Sequence, residues 1–274
     1  MNISILVLLY DCRLEESKTL TSLLDFDDFN KLSLHIINNG PVEVPIDLVS
    51  GYDNVIVSQD NLSNRSLSKI YNDFYASNNS DYYIIFDQDT NVTDSYKDFL
   101  SSLNSGILNA DLFLPIITCN NKIYYPMTNG KVISQRNSLV KNVRSIASGL
   151  VVSKNACLAI EKKYSNLFDV RFYFYGVDSS FFYRVNSLGL SCKVAGELKH
   201  SLSRLESIDS MSSFRIKERS FDFGLTTRHY CNADRLFKFV YFIFTNPLNI
   251  GKYKYLSFKY VLSALVSGKH YRDT

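Results

Sequence analysis

Hydrophobic and polar positions follow one another along residues 1–90 in the way expected of successive strands and helices. Residues 3–9 are almost entirely apolar, which is typical of a strand buried on both faces of a parallel sheet. The spacing further predicts helices at 19–26 and 66–75 and strands at 34–37, 54–57 and 82–86. This order predicts a doubly wound α/β sheet with right-handed crossovers, whose ligand binds beyond the carboxyl ends of the strands.

The pattern is less regular after residue 90. It predicts strands at 111–115 and 149–152, a helix at 180–186 and a polar loop at 122–140. Near the end of the chain, bases are interleaved with aromatic residues over 235–244 and 252–269, which predicts amphipathic helices. Such a mixture is typical of helices that lie on an anionic membrane surface. Alternatively, ordinary helices pack on the domain, and their lysine stems cover apolar surface.

Composition narrows the functional classes. The formal net charge is only +3 and the bases are not clustered in runs, so we expect no nucleic-acid partner. The five cysteines are scattered without a CxxC pair or a Cys/His cluster, which argues against a zinc site or a disulfide framework. The sequence has no signal-peptide pattern and no apolar run long enough to span a bilayer. We therefore expect a cytoplasmic protein with reduced thiols that does not cross a membrane.

Asp87 and Asp89 directly follow the strand predicted at 82–86. Residues i and i+2 of a strand point to the same face, so the two carboxylates converge. Two carboxylates this close repel each other unless a cation neutralises them, and a hard divalent ion such as Mg²⁺ or Mn²⁺ fits this requirement. An alternative interpretation is a solvated turn, because aspartate and threonine are common in turns.

A longer set of motifs accompanies the two aspartates. It consists of Phe86-Asp87-Gln88-Asp89-Thr90, of Val177-Asp178 with Arg184 further along, of Gly189 and His200, of Asn64 and Asn72, and of Ser148-Gly149. With this set of motifs and their spacing, residues 3–203 resemble the family 2 inverting glycosyltransferases, and within them the bacterial rhamnosyltransferase-like group. The resemblance implies that Ser148-Gly149 lies on the acceptor side.

The resemblance implies a GT-A-type fold, a doubly wound and mostly parallel α/β sheet, followed by C-terminal amphipathic helices. It implies a glycosyltransferase domain at 1–205, with a nucleotide-binding half at 1–90 and an acceptor-side half at 91–205, and a helical extension at 206–274. The implied reaction is a metal-dependent transfer of a sugar from dTDP-rhamnose, a UDP-hexose or UDP-galactofuranose. The implied acceptor is a saccharide or a polyprenyl-diphosphate-linked saccharide in the synthesis of bacterial O-antigen or capsule.

The resemblance also assigns roles to side chains. Asp178 is the expected catalytic base, which takes the proton of the acceptor hydroxyl as that oxygen attacks the anomeric carbon; alternatively, it caps the helix that begins nearby. The expected metal ligands are Asp87, Asp89 and His200, although a strand-end hydrogen bond would equally satisfy the histidine. The expected nucleotide-binding residues are Tyr10, Asp11, Asn38, Asn64, Asn72, Asp87 and Gln88. A core position is equally compatible with Tyr10, and a structural role is favoured for Arg184.

Several positions depart from the family pattern. Asn38 stands where the family has an aspartate that reads the nucleobase, and its amide oxygen can still accept the N–H of a base. Tyr175 and Ser180 replace two acids of the motif around Asp178, and Ser66 replaces a glycine. These changes leave the donor open, and they keep open a non-catalytic member of the fold that binds a sugar or a protein partner.

A haloacid-dehalogenase-like phosphatase is the rival enzyme class, because it also uses an Asp-x-Asp after an apolar strand. In that class the pair normally lies on the first strand, with a threonine two positions after the second aspartate. Here Thr90 follows Asp89 directly, after the fourth predicted strand. A dinucleotide-dependent oxidoreductase is disfavoured because no GxGxxG follows the first strand.

Overall fold

The computed structural model describes residues 1–59, 64–105, 109–202 and 211–273. Two compact units are distinguished. The first comprises Met1–Arg65, Ile70–Leu167 and Arg184–Ser201, and the second comprises Ser66–Lys69, Phe168–Tyr183 and Leu202–Thr274. The second unit thus combines the C-terminal helices with two segments from the domain predicted at 1–205. The boundary predicted between 205 and 206 lies outside the described residues.

A large mixed sheet, with ten strands among the described residues, forms the first unit. Its strands are β1 (Ile3–Leu9), β2 (Leu32–Asn38), β3 (Val55–Ser58), β4 (Tyr82–Asp87), β5 (Asn91–Val92), β6 (Leu112–Cys119), β7 (Lys122–Tyr125), β10 (Leu139–Val140), β12 (Leu150–Ser153) and β13 (Cys192–Lys199). The strands β8 (Met127–Thr128), β9 (Lys131–Val132) and β11 (Val143–Arg144) form a separate small sheet.

The strand order of the large sheet is β10-β13-β6-β12-β4-β1-β2-β3, with β5 beside β13 and β7 beside β6. Strands β1 to β4, β6 and β13 run in one direction, and β12 runs against its neighbours β4 and β6. Strand β1 lies between β2 and β4, and all of its residues are buried, which explains its unbroken apolar sequence. The mostly parallel α/β sheet predicted from the sequence is confirmed.

The described helices connect these strands and form most of the second unit. They are α1 (Lys18–Leu24), α2 (Leu67–Ser77), α3 (Asp94–Asn104), α4 (Lys154–Tyr164), α5 (Val177–Leu188), α6 (Ser213–His229), α7 (Ala233–Thr245) and α8 (Phe258–Ser267). Side-chain oxygens cap several amino termini: Ser17 accepts the N–H of Leu20 at the start of α1, and Asn232 accepts that of Arg235 at the start of α7. None of the described helices is both long and apolar enough to cross a bilayer.

The elements predicted for residues 1–90 are confirmed with small shifts of their ends. The loop predicted at 122–140 is wrong, because the segment contains β7, β8, β9 and β10. These strands are two to four residues long and largely solvent-accessible, so their sequences show no alternation of apolar and polar positions.

Candidate functional site

Two strand ends bring Asp87, Asp89 and His200 together. Asp87 ends β4, Asp89 lies two residues further on, and His200 directly follows β13. The backbone N–H of His200 donates a 2.9 Å hydrogen bond to the carbonyl oxygen of Thr118, which fixes this end of β13 beside β6. One potential ligand atom from each of the three side chains lies within 4.8 Å of the other two. The three predicted metal ligands therefore share one small volume.

The charges and atoms of this cluster suit a cation. His200 Nδ1 lies 3.3 Å from Asp89 Oδ1, and Nε2 lies 3.9 Å from Asp87 Oδ2. Burial raises the pKa of Asp87; the neighbouring His200 lowers it, and the negative charge of Asp89 raises it. Carboxylate oxygens suit Mg²⁺ and Mn²⁺, and an imidazole nitrogen suits a transition metal, so the donor set fits the predicted ion.

A chain of buried hydroxyl groups orients the imidazole. Thr90 Oγ1 lies 2.8 Å from His200 Nδ1 and 2.6 Å from Ser148 Oγ. Ser148 Oγ in turn accepts the backbone N–H of Asp87 at 3.1 Å. When Nδ1–H donates to Thr90, Nε2 is the nitrogen left to bind a metal ion, which is the usual arrangement around a metal-binding histidine. From the sequence, Thr90 is only the last residue of the motif that contains the two aspartates, and Ser148 is predicted only as an acceptor-side residue.

The amino-terminal turn of α1 holds the loop between the two aspartates. Thr19 Oγ1 accepts the N–H of Thr90 at 3.1 Å and is hydrogen-bonded to the carbonyl oxygens of Thr90 and Asp87. Ser17 Oγ donates to the carbonyl oxygen of Gln88 at 3.1 Å. Thr19 and Ser17 are both fully buried, so these bonds fix the backbone that carries the carboxylates.

The side chain of Gln88, a predicted nucleotide-binding residue, is paired with the backbone of Tyr10. Its Oε1 accepts the N–H of Tyr10 at 2.7 Å, and its Nε2 donates to the carbonyl oxygen of Tyr10 at 3.2 Å. Tyr10 is 47% exposed, which excludes the alternative of a core aromatic. Asp11 follows with a left-handed φ of 49° and an exposed side chain, so both residues stand at the open end of β1.

A cavity of about 250 Å³ lies beside the end of β2 and is lined by Asn38 among other residues. Asn38 is buried; its Oδ1 accepts the N–H of Gly40 at 2.9 Å, and its Nδ2 donates to the carbonyl oxygen of Val42 at 2.8 Å. Nδ2 also lies 3.3 Å from Gln59 Oε1. The amide oxygen that was predicted to read a nucleobase therefore already accepts one hydrogen bond within its own loop.

Asn39 and Arg65 line the same cavity and were not predicted as site residues. Asn39 Oδ1 accepts the N–H of Arg65 at 2.7 Å, and Asn39 Nδ2 donates to its carbonyl oxygen at 3.0 Å. The predicted Asn64 directly precedes Arg65 and has a φ of 52°. The predicted Asn72 is half-buried on α2. The only signal for Asn39 in the sequence is its position directly after the predicted Asn38, the last residue of β2.

A second cavity, of about 280 Å³, is lined by Asp89 and His200 together with Lys18 and Lys199. An ammonium group beside a divalent ion favours an anionic ligand such as a phosphate. The sequence contained no signal for these lysines, because isolated lysines most often lie on solvated surfaces.

Asp178 belongs to the second unit, where it is half-buried in the first turn of α5. The turn before it requires glycine: Gly176 has a φ of 86°, and a Cβ there would lie 2.4 Å from Asp222 Oδ1 and 2.4 Å from Phe172 Cδ1. A carboxylate in the first turn of a helix also interacts favourably with the helix dipole. The catalytic and the capping interpretation of Asp178 both stay predictions.

The contacts of Arg184 are those of a residue that holds the backbone in place, which agrees with the structural role favoured from the sequence. Arg184 is buried, its Nη1 donates to the carbonyl oxygens of Asn166 and Leu167 at 2.8 and 3.2 Å, and its guanidinium lies 4.7 Å from the centre of the Tyr164 ring. These contacts hold the segment that follows α4.

No protein-family model matches the sequence, and no curated protein is significantly similar to it. Among solved structures, the fold is similar to that of S. aureus TarS. The TarS 1–349 structure has a TM-score of 0.58 and 15% identity, and the match covers 91% of this chain and 74% of that one. The TarS 1–349 complex with UDP-GlcNAc has a TM-score of 0.57 and 14% identity, with 98% and 80% covered.

A longer TarS chain matches with a TM-score of 0.54 and 13% identity; the match covers 84% of this chain but only 44% of that chain. This chain therefore spans less than half of the longer TarS chain. At this level of sequence identity, structural similarity establishes the fold but not the function. The comparisons confirm the predicted architecture: the chain has a GT-A-like α/β fold.

Proposed function

We propose that the protein is a metal-dependent glycosyltransferase that takes its sugar from a nucleotide-sugar donor. The observation that carries this proposal is the convergence of Asp87, Asp89 and His200 at the carboxyl ends of β4 and β13. The GT-A-like fold supports it, because ligands of open α/β sheets bind beyond this edge of the sheet.

Asp87, Asp89 and His200 would hold Mg²⁺ or Mn²⁺. When bound, such an ion supplies positive charge that stabilises the departing nucleoside diphosphate. Thr90 and Ser148 keep the imidazole and the β4 end in position for this task. Lys18 and Lys199, which line the adjoining cavity, would add positive charge for the same anionic group.

The nucleotide would bind at the open ends of β1 and β2, near Tyr10, Asp11 and Asn38, with Asn64 and Asn72 in supporting positions. An exposed aromatic ring such as that of Tyr10 can stack on a base. The TarS structures in complex with UDP-GlcNAc and with UDP support a nucleotide-sugar donor. The sequence resemblance adds dTDP-rhamnose, UDP-hexoses and UDP-galactofuranose as candidates.

Asp178 is the proposed base. It would accept the proton of the acceptor hydroxyl during an inverting displacement at the anomeric carbon. The proposed acceptor is a saccharide or a polyprenyl-diphosphate-linked saccharide in bacterial surface polysaccharide synthesis. The rhamnosyltransferase-like group, the pathway and the cytoplasmic location stay predictions from the sequence.

A second candidate is a non-catalytic, sugar-binding member of the fold. It is favoured by Tyr175, which stands where the family has an acid and whose ring lies 5.0 Å from the guanidinium of Arg219. Such a protein would bind the donor without turning it over.

Calorimetry with UDP and dTDP, each with and without Mn²⁺, tests the proposal. We expect Mn²⁺-dependent binding that is lost in Asp89→Ala and retained in Asp98→Ala, which removes an exposed carboxylate on α3. Unchanged Mn²⁺-dependent affinity in Asp89→Ala would refute the metal site. Release of inorganic phosphate from simple phosphate esters would instead support the phosphatase class, and donor binding without turnover would support the non-catalytic candidate.

A further inference from the structure

Helix α7 is apolar on two opposite sides. Its inner side packs into the core of the second unit, where Phe242 is fully buried together with Phe223, Leu256 and Val261. This packing accounts for the stability of the helix within the unit. A surface helix of a globular protein normally carries polar side chains on its other side.

The outer side of α7 is apolar instead. Phe237 and Phe244 are each 71% exposed, Leu236 is 53% exposed and Val240 is 44% exposed. At 100° per residue, these four side chains fall within an arc of about 100° on the helix, so they form one stripe. Single exposed apolar residues are normal, but a contiguous group of this kind marks an interaction surface.

The loop that follows α7 extends this stripe in the sequence. Leu248 is 68% exposed and Ile250 is 53% exposed. The loop is well fixed, because Asn246 Nδ2 donates to the carbonyl oxygens of Tyr253 and Leu256 at 2.9 and 2.8 Å. We call the six residues Leu236, Phe237, Val240, Phe244, Leu248 and Ile250 the apolar surface.

The charges around the apolar surface are mainly positive. Between residues 233 and 254 the chain has four bases, Arg235, Lys238, Lys252 and Lys254, and one acid, Asp234. Asp234 is ion-paired with Lys238, and the guanidinium of Arg235 lies 5.3 Å from the centre of the Phe223 ring on the inner side of α7. The positive charge beside the apolar surface therefore comes mainly from Lys252 and Lys254. Lys252 lies 5.0 Å from the centre of the Tyr253 ring, and Lys252 and Lys254 are both exposed.

We propose that the apolar surface binds the interface of an anionic lipid bilayer, with α7 lying parallel to the membrane plane. Exposed phenylalanine and leucine side chains would enter the acyl boundary while the flanking bases meet the lipid phosphates. A second copy of the chain is a poorer occupant, because a two-fold contact through this surface would bring like charges from both copies together. The proposal concerns α7 and its loop only, so it is independent of the proposed catalytic function.

Co-sedimentation with vesicles of phosphatidylcholine and phosphatidylglycerol, compared with pure phosphatidylcholine, tests the proposal. We expect binding to the anionic vesicles that weakens as salt rises from about 50 to 500 mM but does not vanish, because only the charge contribution is screened. Phe237→Ser/Phe244→Ser should lower the partition coefficient at least about tenfold. Lys252→Glu/Lys254→Glu should lower it by a similar factor at low salt and much less at high salt.

Val266→Ser is the matched control, because Val266 is 75% exposed on α8 of the same unit, outside the apolar surface. It should bind vesicles as the parent protein does. All substituted side chains are exposed, so circular dichroism and thermal unfolding should show retained folds. Absence of binding at low salt, equal binding to neutral vesicles, or unchanged binding of Phe237→Ser/Phe244→Ser would overturn the proposal. So would self-association in sedimentation equilibrium that this double variant abolishes, because the surface would then be an interface between copies.

Discussion

Thr90 Oγ1 lies 2.8 Å from His200 Nδ1, although 110 positions separate the two residues in the chain. The contact leaves Nε2 as the nitrogen of His200 that can bind a metal ion, and it connects the imidazole through Ser148 to the backbone of Asp87. The threonine that follows the two aspartates is therefore part of the candidate metal centre without being one of its ligands.

Thr90→Val should weaken Mn²⁺-dependent UDP binding by about 10- to 100-fold, the usual effect of removing the partner of a metal-binding histidine. Valine keeps the shape of threonine but cannot hold the imidazole, and calorimetry measures the loss. Thr21→Val, which removes an exposed hydroxyl on α1, is the control and should bind normally. Equal affinities in Thr90→Val and the parent protein would show that the hydroxyl does not orient His200.

Asp178→Asn should retain donor binding but lower turnover by at least about 100-fold, the usual contribution of a general base. The amide keeps the size of the side chain and an oxygen that can cap α5, so a purely structural role predicts little loss. Release of nucleoside diphosphate from the donor, followed by chromatography, measures the rate. Asp98→Asn on α3 controls for the loss of an exposed carboxylate, and near-normal turnover of Asp178→Asn would leave only the capping role.

Gly149→Ala should destabilise the first unit more than Gly130→Ala does. Gly149 has a φ of 75° and Gly130 a φ of 77°, so alanine is strained at both positions by about 1–2 kcal/mol. A Cβ at 149 would also lie 2.1 Å from Leu198 Cδ1, whereas a Cβ at 130 meets nothing within 4 Å. Overpacking adds about 1–3 kcal/mol at 149 only, which urea unfolding measures. Equal losses would mean that Leu198 moves aside without cost.

Asn38→Asp, which restores the residue typical of the resembling family, should lower the stability of the fold by about 1–3 kcal/mol. A carboxylate cannot donate to the carbonyl oxygen of Val42 or to Gln59 Oε1, as the amide does. Urea unfolding of this variant and of Asn109→Asp, an exposed control, tests the expectation. A gain in stability or in nucleotide affinity would show that the loop after β2 rearranges around an aspartate.

Much of the fold could be predicted where burial imposes a simple period. Strands β1 and β4 are central, so their apolar runs were clear, and α2 has its apolar residues on one face. Helix α3 was missed although its buried Tyr96, Phe99, Leu100 and Leu103 have helical spacing. Strand β13 carries a bulge between Val194 and Glu197, and this irregularity removes the alternation by which a strand is recognised.

The residues of the candidate site could likewise be predicted only in part. The convergence of Asp87 and Asp89 follows from their i, i+2 spacing alone, and His200 came from the family resemblance. The roles of Thr19, Ser148 and Thr90 depend on contacts between residues 58 to 110 positions apart, and no local pattern specifies those contacts.

The amide pairing between Gln88 and Tyr10 has a consequence for the energetics of binding. A backbone segment that becomes ordered only when a ligand binds loses conformational entropy, and this loss reduces the affinity for the ligand. Here the backbone of Tyr10 is already held at both its N–H and its carbonyl oxygen, while its ring stays exposed. A flat ligand that stacks on this ring therefore meets a preorganised surface, and replacing Gln88 should weaken the binding of this ligand because the backbone of Tyr10 is then no longer held.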